Sequence, residues 1–178
     1  MAKRTANGLV IVYTGNGKGK TTAALGLAWR ALSHGRRVAV VQFVKSPQSS
    51  GEMRLLKQPV AGLTIEACGR GFVGIMNDRL THRQHQLAAQ KALATARRQS
   101  RRCDVLIMDE VNGAMHSRLV SQREVLRFIS AKPKSLTLVL TGRQAPPAII
   151  RRADLVTEMV EIKHPFQKGR TAEAGIDY

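Results

Sequence analysis

Residues Leu9–Gly35, LVIVY-TGNGKGKTT-AALGLAWRALSHG, decide how this chain is read. LVIVY (Leu9–Tyr13) is a short run of mostly branched apolar residues, the composition of a strand buried on both faces of a parallel sheet. After the glycine-spaced turn, Leu25, Leu27, Trp29 and Leu32 among alanines predict a helix that closes at Gly35, with Trp29 in the core. Between them, Thr14–Thr22 reads as a phosphate-binding loop. Gly15, Gly17 and Gly19 keep side chains clear of an anion facing successive backbone N–H groups, and the helix directs the positive end of its dipole to the same place. Lys20 adds a charge and Thr21 a hydroxyl for Mg²⁺. One detail departs from the usual spacing: Thr14 stands where a glycine is expected, and the glycine series begins one residue late, at Gly15. This predicts a loop that is tighter or differently threaded and argues against ordinary γ-phosphate hydrolysis.

Outward from this unit, apolar runs alternate with helical stretches. Strands are predicted at Arg37–Phe43, Leu63–Ala67, Val105–Met108, Leu136–Thr141 and around Leu155–Ile162. A long basic helix is predicted from Asp78, its cap, to Arg101, a shorter one at Gln122–Ile129, and another at IIRRA (Ile149–Ala153). The fold class is α/β: a P-loop NTPase (RecA-like) mostly parallel sheet with helices on both faces, three layers in all. Ser46–Gly51 is the most loop-like segment, and no linker or repeat divides the chain, so residues 1–178 read as one domain with a short mobile N-terminus and a polar C-terminal tail from His164.

VLIMDE (Val105–Glu110) is the second chemical signal. It places Asp109 and Glu110 at the carboxyl end of a central strand, where open α/β sheets bind ligands and where carboxylates can hold Mg²⁺ beside Thr21. Arg143, after the strand ending in Thr141, is a further candidate for phosphate contact. His82 and His85 lie three apart on the basic helix without acidic or thiol companions, so they are read as a solvated face rather than a metal site.

The 178 residues carry 29 Lys+Arg against 12 Asp+Glu, a net charge of +17. That excess favours anionic partners without choosing among them. With 43% hydrophobic residues the chain can bury a core, which excludes a disordered basic tail; at 4% aromatic content, aliphatic side chains must fill that core. Cys68 and Cys103 cannot make a disulfide framework or a four-thiolate zinc site, and are read as small buried residues. No apolar run is long enough to span a bilayer and MAKRTANG lacks a secretory core, which together predict a cytoplasmic protein with no membrane partner.

Taken together, these motifs resemble the P-loop class of ATP:corrinoid adenosyltransferases, also called cob(I)alamin or cob(I)yrinic acid a,c-diamide adenosyltransferases. The resemblance rests on Tyr13–Lys45, GRGF (Gly69–Phe72), VLIMDE, LTGRQAPPAIIRRADLVTEM (Leu140–Met159) and KHPFQKGRTAEAGIDY (Lys163–Tyr178). It implies transfer of the 5′-deoxyadenosyl group of ATP to the Co(I) centre of a reduced corrinoid with release of triphosphate, in adenosylcobalamin biosynthesis or salvage. Such proteins bind the triphosphate in the direction opposite to the usual one, which matches the shifted glycine. Co(I) is the nucleophile, so the protein's tasks are alignment, exclusion of water and stabilisation of the leaving triphosphate.

Carried over by residue, the resemblance assigns ATP binding to Gly15, Asn16, Gly17, Lys18, Gly19, Lys20, Thr21 and Thr22. Lys20 and Glu110 become the catalytic pair, and Thr21, Asp109 and Glu110 the holders of Mg²⁺ (or Mn²⁺). Arg143 remains a nucleotide contact and Phe72 a corrinoid contact. Where the family commonly continues GRGF with Thr and Trp, this chain has Val73 and Gly74, which leaves the choice of corrinoid open, with Ile75 or Met76 as substitute contacts. The resemblance also implies a reduced flavoprotein as electron donor and a homodimer. Two rivals stand beside it: a P-loop ATPase acting on nucleic acid, for which stacking aromatics and a recognition module are lacking, and a binder of nucleotide and corrinoid that does not turn over.

Overall fold

The computed structural model describes residues 7–47, 51–52, 60–74 and 78–176. Among the described residues six strands form one sheet: β1 (Val10–Thr14), β2 (Val38–Gln42), β3 (Leu63–Ala67), β4 (Val105–Asp109), β5 (Thr137–Thr141) and β6 (Leu155–Glu158). Their spatial order is β3-β2-β4-β5-β1-β6, and every pairing is parallel. The helices that carry the crossovers are α1 (Lys20–Ser33), α2 (His82–Gln99), α3 (Val111–His116), α4 (Gln122–Ala131) and α5 (Pro147–Ile150), with a 3₁₀ turn at Pro165–Lys168.

Alternation along the strands builds two cores. Val10, Val12, Leu106, Met108, Leu138 and Leu140 face α2, α4 and α5, while Ile11, Val38, Val40, Ile107 and Val139 face α1. The three layers expected from the sequence are therefore present, with α1 the one described helix that packs into the second core. Among the described residues no helix is long and apolar enough to cross a membrane.

Several expectations need correction. Trp29 lies on the outer side of α1 and is 66% exposed, because the helix buries the Ala24–Ala28 stripe instead. Helix α2 begins at His82, not Asp78: Thr81 and Gln84 form a reciprocal capping box that satisfies the first free amides. His82 and His85 do not share a solvated face. The buried stripe of α2 runs through His85, Ala89, Ala92, Leu93 and Ala96, whereas His82 is exposed. Cys68 and Cys103 are free thiols and only partly buried; burial pushes the Cys103 thiol up to about 11, so it is a poor nucleophile. The last strand stops at Glu158 and is exposed throughout, an edge that among the described residues pairs with β1 alone. The last predicted helix begins at Pro147 and ends at Ile150, and α3 was not anticipated. The N-terminal residues 1–6, Ile75 and Met76 lie outside the described residues.

Candidate functional site

Strand β1 ends in Thr14 and α1 starts at Lys20, so the intervening loop sits at the carboxyl edge of the sheet. Gly19 takes a φ of 113° at the helix cap. The Lys20 side chain turns back over its own loop, where Nζ donates to the carbonyl oxygens of Gly15 (2.8 Å) and Gly17 (2.7 Å). Burial lowers its pKa, and the charge of Glu110 opposes that shift.

The threading of the loop has a tertiary cause. Gly17 N–H donates to Met159 O at 2.7 Å, and Met159 N–H donates to Thr14 O at 2.9 Å. A Cβ on Gly17 would come 2.8 Å from Met159 O, and one on Gly15, where φ is 93°, would collide with the same carbonyl. The glycines thus admit the chain leaving β6, as well as clearing space in front of the amides. Thr14, in the place of the usual glycine, is buried and its Oγ1 accepts from Ala145 N–H at 3.1 Å.

Asp109 and Glu110 are adjacent but differently placed. Asp109 is 0% exposed, and its Oδ1 accepts from the hydroxyls of Thr21 (2.8 Å) and Thr141 (2.7 Å). Its Oδ2 accepts from Gln42 Nε2 at 3.3 Å and lies 3.8 Å from Lys45 Nζ. Asp109 therefore sits behind Thr21 and orients its hydroxyl. Glu110, with a φ of 60°, turns its carboxylate over Gly113 and Gly142 and lines the cavity. Burial raises its pKa and the Asp109 charge pushes the same way, against the pull of Lys20, Lys45 and Arg143.

These groups open on a cavity of about 860 Å³. Asn16 through Thr22 line it, together with Glu110, Arg143, Phe72 and Val73; Gly15 does not. Phe72 is held in a lip that runs from Gly69 to Gly74, and Gly71 N–H donates to Val44 O at 2.8 Å. His164 and Ile176 of the C-terminal tail reach the same cavity. Sequence reasoning did not single out Lys45 and Glu52, which pair at 2.9 Å on the cavity wall. Lys45 follows β2 at the carboxyl edge of the sheet, a position that could have flagged it; Glu52 lies in a segment with no periodicity to read.

The family model of ATP:corrinoid adenosyltransferases BtuR/CobO/CobP matches residues 6–178. The chain belongs to this corrinoid adenosyltransferase family. The corrinoid adenosyltransferase of Sinorhizobium sp. is 39% identical over 183 residues, covering 100% of this chain and 84% of the relative. That of Pseudomonas aeruginosa is 36% identical over 178 residues, covering 98% of this chain and 86% of its own. The Escherichia coli protein of the same name is 35% identical, with 96% and 86% covered. Membership makes the chain an enzyme that adenosylates corrinoids with ATP in cobalamin biosynthesis, and does not favour the nucleic-acid ATPase reading. For a corrinoid adenosyltransferase the Met159 contacts acquire a meaning: two of its separated signature segments, the loop and ADLVTEM, are hydrogen-bonded partners.

Proposed function

We propose that this enzyme binds the triphosphate of ATP on Asn16–Thr22 and the corrinoid against Phe72 and Val73, and transfers the 5′-deoxyadenosyl group between them with release of inorganic triphosphate. The observation that carries the proposal is that one cavity is lined both by the loop with Lys20, Thr21, Glu110 and Arg143 and by the Phe72 lip. In the transfer, the Co(I) lone pair of the substrate forms the Co–C5′ bond, the C5′–O bond breaks with its electrons on the triphosphate, and the cobalt ends formally as Co(III). No proton needs to be removed, so no general base is required. Lys20 and Arg143 stabilise charge on the leaving triphosphate, Asp109 fixes the Thr21 hydroxyl, and the lip keeps the ring over C5′ and water away from cobalt.

The residues present also suit Mg²⁺ or Mn²⁺. Among the described residues no group of three His, Cys, Asp or Glu side chains could hold a metal alone. The Thr21 hydroxyl and the Glu110 carboxylate on the cavity wall, completed by phosphate oxygens and water, match the habit of Mg²⁺. Such an ion would offset triphosphate charge. The Asp109 carboxylate already accepts from two hydroxyls, so its part is to position Thr21. A reduced flavoprotein as electron donor fits the +17 charge, which would speed encounter with an acidic partner. The exposed edge strand β6 is compatible with a homodimer, and two free thiols suit a cytoplasmic location.

The test is an anaerobic assay with ATP, Mg²⁺ and chemically reduced Co(I) corrinoids, complete and incomplete. A light-sensitive Co–C spectrum accompanied by triphosphate is expected. Phosphate release without a Co–C product would overturn the proposal.

A further inference from the structure

The first turns of α2 touch two walls of the cavity at once. Asp78, just ahead of the helix, accepts from Gly74 N–H on Oδ2 (2.9 Å) and from Leu80 N–H on Oδ1 (3.0 Å). His85, buried on the inner stripe of α2, donates from Nε2 to the same Oδ2 at 2.9 Å. The Asp78 and His85 side chains are 8% and 2% exposed. On the other side, His82 Nε2 bonds Ser117 O at 2.9 Å and Gln86 Nε2 donates to Arg118 O at 3.1 Å; Ser117, like Phe72 and Val73, lines the cavity. The helix itself is bolted to the sheet through Ala89, Leu93 and Ala96.

The lip is therefore held at two points, Gly71 by Val44 O and Gly74 by Asp78, and Phe72 and Val73 lie between them. We infer that the Asp78–His85 pair is a positioning device for the reaction: it fixes the far end of the Gly71–Gly74 lip to the rigid helix α2 and so sets where Phe72 and Val73 meet the corrinoid. Neither side chain lines the cavity, and the pair acts through the Gly74 amide. The same amide and that of Leu80 hold the Asp78 carboxyl below its usual range, as expected of a carboxylate that is a committed acceptor. Such a device would matter more in a chain with Gly74 beside Phe72 than in one with a large ring there, because a glycine adds no side-chain packing to hold the lip.

The inference rests on the proposed corrinoid site, and its test separates the two. Steady-state adenosylation would be measured for the parent chain, Asp78→Ala, Asp78→Asn and His85→Leu, with KM determined separately for the Co(I) corrinoid and for ATP, and with Tm as a folding control. For Asp78→Ala the corrinoid KM should rise roughly ten-fold, the low end of what losing a hydrogen bond to a charged group costs, with the ATP KM unchanged. Asp78→Asn keeps one oxygen for Gly74 N–H and should recover most of that loss; His85→Leu, which leaves the Gly74 bond in place, should fall between. If Asp78→Ala does not fold, a few-fold rise in corrinoid KM for Asp78→Asn alone sustains the inference. Folded variants with an unchanged corrinoid KM, or with both KM values raised alike, would overturn it while leaving the transferase intact. A parent chain that adenosylates no corrinoid would instead remove the proposed function, and the inference with it.

Discussion

The glycine loop before α1 and the Phe72 lip line one cavity, yet they are held in very different ways. In the loop, Gly17 is bonded to the exit of β6, Lys20 to two carbonyls, and Thr21 to a fully buried Asp109. The lip has the Gly71 and Gly74 anchors, and Phe72 between them is 44% exposed. The C-terminal tail beyond Met159 is looser still, with Val160, Ile162, Phe166 and Ile176 all exposed. The number of anchors thus parallels the proposed division of labour between the two walls. Stabilising a departing anion requires dipoles already in place, because reorganising them at the moment of reaction would cost what they supply. A surface for a broad ring system needs fewer fixed points, here the Gly71 and Gly74 anchors, and the ring's own contacts complete it.

The largest break in this contrast should come from Lys20→Ala. Loss of that charge is expected to lower kcat/KM roughly 10²–10³-fold, the range seen when one preorganised group for a developing anion is removed. A normal rate would show that the loop is not the triphosphate end. Next is Gly15→Ala, which forces a side chain into a φ of 93° and against Met159 O. Strain of about 1–3 kcal/mol should lower Tm by at least ~2 °C. The ATP KM should rise roughly ten-fold, as a displaced loop implies, with the corrinoid KM unmoved. An equal rise in both would mean that the two walls are not independently held.

The smallest effect belongs to the ring missing at Gly74. Nothing lies within 4 Å of a Cβ built on Gly74, so a side chain starts there without a clash, although φ at +71° costs it about 1–2 kcal/mol. Gly74→Trp should therefore lower Tm slightly and raise activity on Co(II) cobalamin with a reductant by a few-fold. No change in activity would mean that the ring missing at Gly74 does not decide how this chain handles complete cobalamin.

Much of this was legible in the chain itself. Runs such as LVIVY and VLIM are short, apolar and β-branched, so their burial as parallel strands follows from composition and spacing, and with it the loop before α1 and the acidic pair after β4. The errors fell where local signals compete. Asp78 and Thr81 are both plausible caps, and only the reciprocal partner Gln84 decided for Thr81. Trp29 has the composition of a core residue, but helical spacing from Ala24 and Ala28 points it outward. His85 looked polar enough for solvent, yet it falls on the stripe of Ala89, Ala92 and Ala96 with a carboxylate to receive it.

By itself, the sequence determined the α/β layering, the glycine loop between β1 and α1 and the family, because each is written in residues that are neighbours along the chain or in motifs with a set order. Only the tertiary structure decided that Met159 threads the loop, that Asp109 stands behind Thr21 while Glu110 faces the cavity, and that Asp78 and His85 hold the lip. These are hydrogen bonds between segments far apart in the chain. Their partners are selected by the register of the strands and the placement of helices on the sheet, which no local spacing records.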